Sequence, residues 1–151
     1  MNWYSKITAD LGQIPNFILF YENELEKARQ DVRIYGKVEK SLAELPGITE
    51  YRFSQLQEIE AVLNYLNIQL NKIRRKHFQK YLENYNRSLS SREAEKYVDG
   101  EDEVIDYETI INDVALVRNK YLGILKGLES KSFNLGHISR LRVAGMEDIT
   151  L

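Results

Sequence analysis

The clearest regularity in the chain is a run of apolar positions at its middle. Leu56, Ile59, Leu63, Leu66, Leu70, Ile73 and His77 stand alternately three and four residues apart. That a/d spacing turns one face of a helix toward a partner helix. No glycine or proline interrupts the chain from residue 49 to 85, so the pattern predicts a helix of ~35 residues, ~50 Å long. A helix that outreaches a compact domain needs cover along its seam, from within the chain or from another subunit.

On either side the periodicity stays helical. Phe17, Phe20, Tyr21, Leu25, Ala28, Val32 and Tyr35 recur at helical spacing. They predict a helix that Asn16 caps and that runs to about residue 44, where Pro46 and Gly47 end it. Downstream, Ser90 and Glu93 stand in the reciprocal positions of a capping box. A short helix to about residue 98 follows, and Asp99-Gly100 turns the chain. A second long helix is predicted over 101–129. Its stripe of Ile110, Val114, Val117, Tyr121, Ile124 and Leu128 is widened by Tyr107, Ile111 and Leu125. Such width indicates burial against more than one neighbour. Asn134 would cap a last short helix bearing Leu135, Ile138 and Leu141, which Gly145 would stop. No segment alternates in the manner of a strand. The fold class expected is all-α, with long antiparallel helices packed through heptads. Residues 1–151 form a single domain: N-terminal helices over 1–46, the heptad helix over 48–87 and C-terminal helices over 90–151.

Composition narrows the function classes. The 151 residues are 43% hydrophobic and 29% charged, an ordinary soluble balance, and the absence of cysteine removes disulfides and thiolate metal sites. The longest early apolar stretch, 17–21, is too short for a secretion signal or a membrane span. The setting expected is the cytoplasm, without membrane contact. There is no glycine-rich phosphate loop, no zinc-ligand spacing and no nucleophile elbow, so the expectation is a non-enzymatic protein without cofactor or metal. His77, on the heptad seam, reads as a packed or interfacial histidine, and His137 stands alone.

The formal net charge of −2 conceals a block structure. Residues 71–92 hold Lys72, Arg74, Arg75, Lys76, Lys80, Arg87 and Arg92 against Glu83 alone. Residues 99–113 hold Asp99, Glu101, Asp102, Glu103, Asp106, Glu108 and Asp113 and no base. A local basic block binds polyanions whatever the total charge is. Phe78, Tyr81 and Tyr85 are interleaved with the bases, and cations beside stacking rings are the chemistry of single-strand binding. The competing reading makes the rings a continuation of the packing face and the lysines a solvated surface. The acidic run lacks the ligand pattern of a calcium loop. It suits the positive start of a helix, or a contact surface for basic segments of other subunits, or a mimic that keeps DNA off that face. Lys131, His137, Arg140 and Arg142 form a second, weaker basic cluster.

The C-terminal half resembles the UvsY family, the recombination mediator proteins of T4-like phages. The likeness lies in the order of elements. The basic helix Asn71-Lys72-Ile73-Arg74-Arg75-Lys76-His77-Phe78-Gln79-Lys80-Tyr81-Leu82 is followed by Glu93-Ala94-Glu95-Lys96-Tyr97-Val98-Asp99-Gly100. An acidic-led helix then ends Tyr121-Leu122-Gly123-Ile124-Leu125-Lys126-Gly127-Leu128, and Ser130-Lys131-Ser132-Phe133-Asn134-Leu135-Gly136-His137-Ile138 comes last. The chain departs from the family pattern where Tyr81-Leu82-Glu83-Asn84 replaces a tyrosine pair and glycine. The resemblance implies a homo-oligomeric ring in a phage-infected cell. Such a ring binds single-stranded DNA and helps load a RecA-like recombinase onto strands covered by single-strand-binding protein. It places DNA contacts on the basic helix just before the tyrosines, where Arg74, Arg75, Lys76 and Lys80 fall. The single-strand reading of the residues adds Lys72 and Arg87 as phosphate-neutralising bases, with Phe78, Tyr81 and Tyr85 stacking or packing. The resemblance places oligomer contacts toward the C-terminus, on the wide stripe of Ile110, Val114, Val117, Tyr121, Ile124 and Leu128 and on the segment after it. The rival expectation is a helical structural or adaptor protein, a virion component or transcription accessory, that docks a protein partner through its heptad helix. In that reading the tail Met146-Glu147-Asp148-Ile149-Thr150-Leu151 is loosely like a sliding-clamp-binding peptide.

Overall fold

A computed structural model describes residues 2–84 and 88–145, and among these every regular element is helical. Helix α1 (Trp3–Ala9) starts where the Asn2 side chain accepts the Ser5 N–H at 2.8 Å. A single 3-10 turn, Leu11–Gln13, leads into α2 (Ile14–Val32), with Pro15 in its first turn, where a missing N–H costs nothing. Helix α3 spans Val38–Glu83, α4 spans Ser91–Asp99 and α5 spans Asp102–Val143.

Three boundaries differ from the sequence expectation. The helix begun at residue 14 stops at Val32, and the break is made at Gly36, whose φ of +73° lies in the left-handed region. Pro46 and Gly47 do not end a helix but lie inside α3. A proline and a glycine there cost about 4 kcal/mol together. Burial of Val38 and Leu45, worth about 2 kcal/mol each, offsets that cost, and Ile48 packs on the same core. The separate last helix does not exist: α5 runs unbroken through Asn134, because Leu128, Lys131 and Leu135 continue its buried face at spacings of three and four. It ends beside Gly145, with φ of +82°. The capping box at Ser90 and Glu93 is present in both of its hydrogen bonds.

The seam of α3 finds its cover within the chain. Helix α5 runs antiparallel to it, with Arg142 3.8 Å from Glu39 at one end and Arg74 3.4 Å from Glu108 at the other. Leu56, Ile59, Leu63, Leu66 and Leu70 are buried. Helix α2 lies against α5 and α1 against α3, so Ile7, Phe17, Tyr21, Leu25 and Ala28 close the core from the other side. The stripe assigned to oligomerisation is consumed in this packing. Val114, Val117, Tyr121, Ile124 and Leu128 are at most 7% exposed, and Ile110 is half-buried on the same core. These residues are not a free surface for a second subunit, because α2 and α3 already cover both flanks of the wide stripe.

A polar network sits inside this core, where the periodicity gave no warning of it. Arg52 donates to Asp31 at 2.8 Å, to Glu24 at 3.0 Å and to Gln55 at 2.9 Å, while Gln55 donates to Glu24 at 3.1 Å and Tyr121 to Gln55 at 3.3 Å. Burial opposes ionisation of Glu24, but hydrogen bonds from Gln55, Lys27 and Arg52 outweigh it and hold its pKa below the ordinary 4.5. Lys131, expected on a basic surface cluster, is 6% exposed and donates to the Asp31 carbonyl at 2.7 Å, satisfying the end of α2.

The approach of α2 to α5 depends on Gly127. A Cβ there would stand 2.8 Å from Val32 Cγ1. Gly127→Ala should cost about 1–3 kcal/mol by overpacking, of which the better helix propensity of alanine returns about 1, leaving a net loss of up to about 2 kcal/mol, measured by urea unfolding. Combined with Val32→Ala it should cost less than the two single losses added; strict additivity would count against the close approach. The depressed Glu24 pKa gives a second expectation. Its contribution to stability is complete above pH 4.5 and is lost as pH falls through the lower folded value. Glu24→Gln should therefore flatten the acid limb of stability against pH, and an unchanged limb would refute the assignment.

Candidate nucleic-acid interface

The basic block occupies the last third of α3, and the helix divides it by angle. At 100° per residue, Leu70, Ile73, Arg74, His77 and Tyr81 share the inward arc, and Lys72, Arg75 and Lys76 share the opposite one. The inward set meets α4 and the start of α5. Arg74 donates to Asp99 at 2.5 Å and to Glu108 at 3.4 Å. His77 lies 2.9 Å from Glu103 through Nε2 and 3.7 Å from Glu101 through Nδ1. Lys80, on the flank, stands 3.9 Å from Glu101. Part of the acidic block, Asp99, Glu101, Glu103 and Glu108, is therefore the counter-charge of the inward part of the basic helix, Arg74, His77 and Lys80.

The aromatic residues divide the same way. Phe78 is half-buried and packs on the small core of Leu70, Val98 and Val104. Tyr81 packs on that core too, stacks on Tyr97 with centroids 5.2 Å apart and donates its hydroxyl to Glu101. That hydrogen bond is the largest influence on Glu101; with the nearby His77 and Lys80 it outweighs desolvation and holds the carboxyl below its ordinary value. Both rings thus serve the packing role. Tyr85, Arg87 and the tail 146–151 lie outside the described residues.

Lys72, Arg75 and Lys76 are exposed and make no ion pair among the described residues. They are neighbours at spacings of three and four on one helical face. Arg75 also borders a shallow cleft with Arg74, Phe78, Glu95 and Val98. These three cations form the open part of the predicted site; Arg74 and Lys80 belong to it in sequence but are engaged by carboxylates. The second basic cluster does not assemble. Lys131 is buried, Arg142 faces Glu39, and the His137 ring meets Phe133 edge-on at 4.5 Å. Among the described residues no helix is long and apolar enough to cross a membrane.

No family model and no curated protein matches the chain. A search of solved structures finds the fold in the crystal structure of the bacteriophage T4 recombination mediator protein UvsY. The TM-score is 0.70 and the identity 17%, over 83% of this chain and 98% of that one. The two share an all-helical fold.

The geometry at Glu101 is open to direct test. Tyr81→Phe removes the hydroxyl that stabilises the carboxylate, so the Glu101 pKa should rise toward 4.5. Carboxyl-carbon NMR titration measures it, and an unmoved value would show that the hydrogen bond does not form.

Proposed function

We propose that the chain is a non-enzymatic, single-stranded-DNA-binding recombination mediator. The observation that carries this reading is the open row of Lys72, Arg75 and Lys76 on a helix whose fold is shared with a recombination mediator. Three exposed cations on one face, without an ion pair among the described residues, track phosphates, and the bases need no specific contact. The affinity of one such row is weak, and several copies acting on one strand raise it by effective concentration. Assembly of copies, and help to a RecA-like recombinase on strands covered by single-strand-binding protein, complete the reading. Contacts between copies must use residues outside the buried α5 stripe.

The adaptor reading draws on a different feature. Leu42, Pro46, Phe53 and Leu125 line an open apolar groove between the first half of α3 and α5. Substitutions at Leu63 or Leu66 cannot separate the two readings, because both residues are core and their loss unfolds the chain.

Fluorescence anisotropy with a labelled oligonucleotide makes the distinction. Three phosphate contacts give a slope of roughly −2 in log affinity against log salt, so binding should weaken about fifteenfold between 50 and 200 mM salt. Lys72→Ala with Arg75→Ala and Lys76→Ala should abolish binding while leaving the unfolding midpoint in place. No binding by the parent at low salt, or full binding by the triple variant, would refute the proposal.

A further inference from the structure

We infer that the DNA site has two tiers, the second masked by the chain's own carboxylates and unmasked when phosphate displaces them. The inference rests on the single-strand reading of the open row. Lys72, Arg75 and Lys76 are the first tier. Arg74 and Lys80 are the second, held by Asp99, Glu108 and Glu101. Arg74, on the inward arc, borders the same cleft as Arg75, and the exposed Lys80 follows Lys76 by one turn on the flank, so a strand laid on the first tier has the second at its edge.

The energetics favour exchange. The side chains of Asp99 and Glu108 are 62% and 52% exposed, and Arg74 itself is 30% exposed. Ion pairs so exposed are worth little against solvent and salt. Arginine binds phosphate in the same bidentate geometry as carboxylate, so one anion replaces another at small cost. Lys80 stands at the 3.9 Å edge of its pair with a 60% exposed side chain. Among the described residues its swing to the outer face breaks no close hydrogen bond, only this pair and a contact with the Tyr81 ring 5.4 Å from its centroid. The carboxylates thus act as a threshold. A short or weakly held polyanion meets three cations, and one that stays long enough to compete meets five.

The same helix supplies its own control. Asp102, Asp106 and Asp113 are exposed and make no ion pair among the described residues, yet they carry the same charge in the same block. The test compares Asp99→Asn with Glu101→Gln and Glu108→Gln against Asp102→Asn with Asp106→Asn and Asp113→Asn, both in the full chain. The probes are labelled single-stranded oligonucleotides, a short one below the threshold and a long one above it, across a salt series, with circular dichroism to confirm folding. On the short strand the first variant should steepen the salt slope from the parent's roughly −2 to roughly −3.5, and on the long strand the parent itself should reach roughly −3.5. The control, equal in net charge, should raise affinity but keep the slope near that of the parent. A parent that binds only weakly beside a first variant that binds tightly with the steep slope would also support the inference. If on the short strand both variants share the parent's slope or steepen it equally, or if the parent keeps the shallow slope on the long strand, the masked tier is refuted and the single-strand reading stands. If neither parent nor variants bind at any salt, both fail.

Discussion

Everything in this fold hangs on the antiparallel seam between α3 and α5. A helix of 46 residues reaches about 70 Å, and one of 42 residues about 63 Å. Neither carries enough apolar surface around its circumference to stand alone, and each exposes a stripe that water disfavours. Lying antiparallel, they bury Leu56, Ile59, Leu63 and Leu66 against Val114, Val117, Tyr121 and Leu128. Helix α2 then fills the open side of α5, and the Arg52 network fixes how α2 and α3 meet. A buried arginine with two carboxylates and an amide is costly unless every member is satisfied. Here Nε and Nη1 of Arg52, the Gln55 amide and the Tyr121 hydroxyl each have an acceptor within 3.3 Å, which favours one register of the helices over its neighbours.

The sequence carried the fold class and the heptad seam because both are periodic, and burial enforces period. The seam read from Leu56 to His77 holds at each step, and His77 is half-buried as its position requires. The boundaries went astray where tertiary packing overrode local chemistry. Pro46-Gly47 is a strong local stop, but α5 offers Leu45 and Ile48 a surface that outweighs it. Gly36 was the weaker local signal and became the true break. The buried network was nearly legible: Arg52 stands four residues before Leu56, on the seam itself, and Glu24 and Asp31 lie seven apart on the apolar face of α2. A charge on a seam was the clue, and only the facing helix says whether it is paired.

The candidate site was legible in composition and not in role. Segregated blocks of opposite charge can face solvent, another subunit, or each other, and linear order does not choose among these. The packing of α4 and α5 on α3 chooses. The acidic start of α5 falls beside the basic end of α3. Part of the near-neutral total is then an internal contact. Phe78 and Tyr81 went to packing for the same reason, since their arc is the one that α4 and the start of α5 cover.

One register therefore decides both stability and surface. The phase that puts Leu70, Arg74, His77 and Tyr81 inward is the phase that leaves Lys72, Arg75 and Lys76 outward. Slipping α3 by one residue would expose the seam and bury lysines, so the apolar positions fix the place of the cations without touching them. This ties the open row to the fold more firmly than any residue match at 17% identity does. The register presents whatever charge the sequence has placed on the outer arc. In this chain that arc carries three bases and no acid from residue 72 to 79, so the face that the apolar seam turns outward there is cationic.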